Sequence, residues 1–161
     1  MAIFQPSPDQ IKEAAKSVWY EWQMFNITSR FCPIAQRFLG VMQNTTIESF
    51  LLHTRILTDF FFPSQNLKRS ETWDVILASD YLPEWNLSRE SHLENNCVYL
   101  GNNYERINKA LTHLSYSRSK YKTIALKKWK YDKIHEELSA TWHDFWRQLT
   151  DEQQNWFDGN N

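Results

Sequence analysis

Glycine is nearly absent from this sequence: three residues in 161, beside five prolines and two cysteines. So few turn-formers exclude a sandwich or barrel, which needs a break every few residues, and leave long uninterrupted helices as the expected element. Cys32 and Cys97 stand far apart with no CxxC spacing, which excludes a disulfide framework and a zinc knuckle; two buried structural thiols are expected. Long apolar runs are missing too. The longest nearly uncharged one, ILTDFFFP at 56–63, falls far short of the roughly 20 residues that span a bilayer, so no membrane association is expected. Met1 is followed by AIFQPSPDQ, with neither a basic n-region nor an apolar h-region, and a cytoplasmic protein without a secretory signal is expected. There is no Gly-rich phosphate loop, no HExxH and no nucleophile elbow, so no metal or cofactor is expected.

What the chain has in quantity is aromatic rings: eight Trp, seven Tyr and ten Phe. At this length they suffice for one domain with a core of its own, so residues 1–161 are read as a single unit. Ser7-Pro8-Asp9-Gln10 combines an N-cap, Pro at the first helical position and Gln at N3, and predicts a helix from about Pro8 to Ser29 with Ile11, Ala14, Ala15, Val18, Trp19, Trp22 and Phe25 on one side. Pro33 predicts a break, Ile34 to Gln43 a short second helix, and Asn44-Thr45-Thr46 the cap of the next. Residues 47–62, IESFLLHTRILTDFFF, are apolar nearly all round and predict the central helix of a bundle, ended by Pro63. Residues 64–101 predict an irregular connection with one or two short helices. A helix from about Asn102 to Ser117 follows, then a basic loop. Asp132 is expected to cap a last long helix with Ile134, Leu138, Trp142, Phe145 and Leu149 on its core stripe, and Thr150-Asp151-Glu152-Gln153 to start a final turn or two reaching Phe157. The fold expected is all-α: a four- or five-helix bundle with an irregular excursion between the central and later helices.

Charge is unevenly spread. The net formal charge is −1, yet residues 104–133 hold nine Lys or Arg against only Glu105 and Asp132. In that basic stretch Tyr116, Tyr121, Trp129 and Tyr131 alternate with Arg118, Lys120, Lys122, Lys127, Lys128 and Lys130. Rings that stack on unpaired bases, set among cations that follow phosphates, suit single-stranded RNA. A solvated loop whose aromatics pack back on the bundle would have the same composition. Within the preceding helix Arg106 and His113 lie seven positions apart, close to two full turns, and so share a face. Arg offers a charged fork for phosphate oxygens and His exchanges protons near neutral pH; together they are chemically sufficient for metal-free RNA cleavage. Chance alone supplies such a pair in many chains of this composition.

The central helix adds Glu48, Arg55 and Asp59, a charged stripe on an apolar rod. Such a stripe marks either a site or an ion pair, Glu48 or Asp59 with Arg55 or Arg106, that locks the bundle. His53, among Leu52, Leu57 and Phe60, reads as a satisfied core histidine rather than a ligand.

ESFLLHTRILTDFF (48–61), DVILASDYL (74–82) and RINKALTHLSYSR (106–118) resemble a group of short bacterial helical proteins of unassigned function, and their layout is similar to the HEPN superfamily of helical bundles, which includes RNA-cleaving toxins and RNA-processing factors. The resemblance covers roughly residues 44–149. It implies an Arg/His motif near a late helix, here Arg106 and His113, with the site completed at a dimer interface. The polar residue expected directly after the Arg is Ile107 here, with Asn108 standing in for it, and Glu48 corresponds to the family's acidic residue on an earlier helix. The resemblance thus implies an RNA-binding or metal-independent RNA-cleaving domain, with Arg106, His113 and Glu48 as its catalytic residues and Asn108, Arg118, Lys120, Tyr121 and Lys122 on the RNA. A homodimer is expected. The alternative is a non-catalytic helical interaction module that docks a partner protein or a second copy through an exposed apolar patch; a third reading is a small-molecule pocket beside the apolar central helix.

Overall fold

A computed structural model describes residues 6–35, 37, 40–64, 75–93, 95, 97–112 and 129–158. Among these residues it contains six α-helices and no strand: α1 (Pro8–Ala35), α2 (Val41–Phe61), α3 (Ala78–Tyr81), α4 (Val98–Thr112), α5 (Tyr131–Gln148) and α6 (Asp151–Asp158), with one π-helical turn at Arg89–Leu93. The fold is an all-α bundle.

Local signals set the two ends. Ser7 and Gln10 form a reciprocal capping box (Ser7 N–H to Gln10 Oε1, 2.8 Å; Gln10 N–H to Ser7 Oγ, 3.3 Å), and α1 starts on Pro8. Thr150 and Gln153 repeat the device for α6 (2.9 and 3.2 Å). Between them α1 and α2 run antiparallel: Glu21 meets His53 midway along the pair, while the Cys32 thiol points to the Thr46 carbonyl nearer the end at Gly40. The fully buried Phe25, Phe50, Phe61 and Phe145 make the centre with the nearly buried Trp22 and Trp142, whose rings stack 4.5 Å apart and within 3° of parallel. Phe60 and Phe61 both pack edge-on to Phe145, and Phe50 to Tyr131, so α5 runs parallel to α2. Burial of this many rings is the principal term holding the bundle together. The predicted α5 stripe of Ile134, Leu138, Trp142, Phe145 and Leu149 is buried throughout.

α4 packs on α2 and α5, and its start is capped from a distance. Both carboxylate oxygens of Glu137 on α5 accept backbone N–H groups in the first turn of α4, from Tyr99 (2.9 Å) and Leu100 (2.7 Å).

Several boundaries differ from expectation. Helix α1 passes through Pro33 and ends at Ala35. Pro33 removes one donor in the last turn, and the helix ends before further bonds are needed. Among the described residues of 34–43 there is accordingly no separate short helix: 34 and 35 belong to α1 and 41–43 to α2. The break falls at Gly40, whose φ of 89° is the left-handed conformation that glycine adopts without strain, and α2 begins at Val41. Thr45 and Thr46 lie inside α2, their hydroxyls donating back to the Val41 and Met42 carbonyls (both 2.9 Å), and cap nothing. Helix α4 begins at Val98, four residues earlier than predicted. Helix α5 begins at Tyr131 with Lys130 in the cap position, so Asp132 lies in the first turn, where its charge still suits the helix dipole.

Candidate functional site

The charged stripe of α2 is divided by the fold. Asp59 is the hub of a cluster: Arg89 Nη2 lies 2.7 Å from its Oδ1, Arg55 Nε 3.7 Å from its Oδ2, and the Tyr104 hydroxyl donates to Oδ1. The Arg89 guanidinium also sits 4.2 Å over the Tyr104 ring. Burial, reinforced by the Asp59 hydrogen bond and charge, pushes the Tyr104 phenol up to about 12. Asp59 joins three segments, with one ligand from its own helix, one from the π turn and one from α4. The Asp59–Arg55 ion pair that the stripe suggested is present, but it lies within α2 and ties no two helices together. Arg89 and Tyr104 are partners that the sequence did not announce.

The second cluster surrounds Arg106. On α4, half-buried, its guanidinium lies 3.8 Å over the Trp129 ring, and Nη1 reaches Asn103 Oδ1 at 3.4 Å. Trp129 is 9 % exposed, so the ring face turned to Arg106 is not on offer to a base. Tyr131 is also buried, against Phe50. Two of the four aromatics of the basic stretch therefore pack back on the bundle. Lys130 lies within 5.9 Å of the Tyr99 ring, and Lys109 is exposed one turn from Glu105 and Arg106. Asn108 is half-buried on α4, and Glu48 is exposed on α2 seven residues before Arg55. His113, Arg118, Lys120, Tyr121 and Lys122 lie outside the described residues, as do Tyr116, Lys127 and Lys128. Of the expected site residues the described part thus holds Arg106, Asn108 and Glu48.

His53 is 6 % exposed, with its Nδ1 2.5 Å from Glu21 and its ring edge-on to Tyr20, which makes it a satisfied core histidine. Both cysteines are buried. Burial pushes the Cys32 thiol up to about 12; burial and the neighbouring Glu137 charge raise Cys97, so neither is a reactive thiolate. Two surface clefts of about 330 and 470 Å³ are lined by Pro6, Gln10, Ala14 and Asp80 and by His92, Lys133, Glu137 and Asp144 respectively; α2, the helix expected to line a ligand pocket, contributes to neither. Among the described residues no group of three His, Cys, Asp or Glu could hold a metal ion, and no helix is long and apolar enough to cross a membrane.

No family model, curated protein or solved structure matches the chain.

Proposed function

We propose that the chain is an RNA-binding domain centred on Arg106, in which Arg106 and His113 form a metal-independent cleavage pair in the setting of a homodimer. The observation that supports this reading is the stack of Arg106 on Trp129. Stacking fixes the plane of a guanidinium, the group whose N–H fork matches phosphate oxygens. Residues 113–128, between α4 and Trp129 in the sequence, carry five Lys or Arg and no Asp or Glu. Arg106 thus lies at the root of the most basic stretch of the protein, the feature a polyanion would seek.

The chemistry of the pair follows from its groups. His113 removes the proton of the ribose 2′-hydroxyl as that oxygen attacks the phosphorus. The 5′-oxygen leaves and takes a proton from water or an acid, and Arg106 stabilises the doubly charged phosphorane between them. Asn108 and Glu48 supply the polar and acidic members. A cytoplasmic location accompanies this reading.

The competing reading is a non-catalytic interaction module, and the exposed apolar side chains of α1 and α2 favour it. RNA degradation by the purified chain in EDTA, compared with Arg106→Ala and His113→Ala variants of matched thermal stability, separates the two. Degradation that survives chelation and disappears in both variants is the expected result. Binding without degradation, weakened by Arg106→Ala on every sequence with a shallower salt dependence, would restrict the function to binding. Neither binding nor degradation would leave the interaction module.

A further inference from the structure

Helix α1 carries two apolar stripes. One is buried. The other, Tyr20, Ile27, Phe31 and Ile34, follows the same i, i+7, i+11, i+14 register on the far side of the helix, and its members are 54, 48, 55 and 50 % exposed. Helix α2 adds Met42, Leu52 and Ile56, at i, i+10 and i+14, with 70, 44 and 38 % exposure. Because α1 and α2 are antiparallel and the Tyr20 ring touches His53 in the seam, both stripes lie on the solvent side of the same helix pair, four turns long. Met24, Thr45 and Ser49 lie between the stripes and Glu21 is turned into the seam toward His53, while the exposed charges Lys16, Arg30 and Glu48 border the stripes one turn from Tyr20, Ile27 and Leu52.

We infer that this outer α1–α2 face is the interface with a second copy of the chain. Three observations select that occupant. First, the seven exposed side chains present on the order of 700 Å², close to the ~800 Å² per partner of a stable interface, so one copy nearly fills the requirement of the other. Second, a two-fold interface sets each patch against itself, which is costly for any patch with net charge; its seven apolar side chains carry none, and the flanks set Lys12, Lys16 and Arg30 against Glu13 and Glu48, short of the basic cluster a lipid surface would select. Third, the face is self-complementary in relief. At the level where Cys32 meets Thr46, α1 is bulky (Ile27, Phe31) while α2 is small (Thr45, Ser49), and a two-fold rotation lays the ridge of one copy on the trough of the other. Two such helix pairs face to face make a four-helix layer.

This interface is separate from Arg106 and RNA plays no part in its test: loss of RNA binding or cleavage leaves it standing, whereas a monomeric chain overturns it and also removes the homodimer setting of the RNA reading. Sedimentation equilibrium of the full chain, from about 1 to 100 µM, a range that populates even a micromolar dimer, is expected to give twice the chain mass. Ile27→Glu and, separately, Leu52→Lys are expected to shift it to the monomer mass with an unchanged helical circular dichroism spectrum. A wild-type chain that stays monomeric throughout that range overturns the inference, whether or not it binds phosphatidylcholine vesicles. So does a dimer that survives both substitutions while remaining folded.

Discussion

The two sides of α1 have nearly the same register and much the same chemistry, yet opposite fates. On the inner side Trp22 lies flat on Trp142 and Phe25 on Phe50. On the outer side Tyr20, Ile27, Phe31 and Ile34 meet solvent. Amphipathicity alone therefore does not say which stripe is core. The inner stripe is selected because α5 supplies rings at matching heights, with Trp142, Trp146 and Phe145 repeating at helical spacing, whereas no described helix presents a partner to the outer one. A helix with two apolar sides is half of one contact and half of another.

The largest expected effect erases the inner contact. Trp142→Ala removes the ring shared by Trp19, Trp22, Phe61 and Phe145, and should cost about 3–5 kcal/mol in chemical denaturation. Less severe is Asp59→Ala, which strands Arg89 beside the Tyr104 ring. The cluster is partly exposed, so a loss of about 1–3 kcal/mol is expected, and Asp59→Asn should recover part of it.

Acid tests the inner side without mutation. Burial lowers the His92 and His135 pKa values from the ordinary 6.5, with the Arg30 and His143 charges adding to the effect at His135 and Asp144 opposing it at His92. Both imidazoles stay neutral in the folded chain at pH values where the unfolded chain takes up protons. Their neutrality costs nothing above pH 6.5, and stability drains away as the pH falls below it. The thermal midpoint should drop from pH 7 to pH 5, and His135→Gln should flatten that slope. The smallest effect belongs to the outer side: in dilute solution Ile27→Glu should alter stability by no more than about 0.5 kcal/mol while abolishing self-association. An equal loss from Ile27→Glu and Trp142→Ala would make the two sides equivalent.

What could be read from the sequence was what is encoded locally. Ser7-Gln10 and Thr150-Gln153 are capping boxes whose donors and acceptors lie within four residues, and both formed. The α5 stripe is a repeat with one period. Pro33 misled because a proline's effect depends on how many turns follow it, which only the end of the helix reveals. The Asp59 cluster was half legible: Arg55 is one turn away on the same helix, but Arg89 is thirty residues on, in a stretch without periodicity, and no pattern links the two. Trp129 was legible as an aromatic among lysines but not as the platform for Arg106, since cation–π partners follow tertiary approach rather than spacing. The other members expected at that site, His113 first among them, lie outside the described residues.

The Glu137 carboxylate that caps α4 has a consequence for the order in which the molecule assembles. Helix α4 starts with Val98-Tyr99-Leu100, which brings no capping side chain of its own, and the acceptor for its first amides is made almost forty residues later. A chain growing from its N-terminus completes α1 and α2 and can already lay α4 on α2 through Tyr104 and Asp59, but leaves the first amides of α4 without their acceptor until α5 emerges. Assembly should therefore proceed in two stages, an early hairpin and a late closure, with the Tyr99 and Leu100 amides gaining protection from exchange in the same step as α5 and never ahead of it.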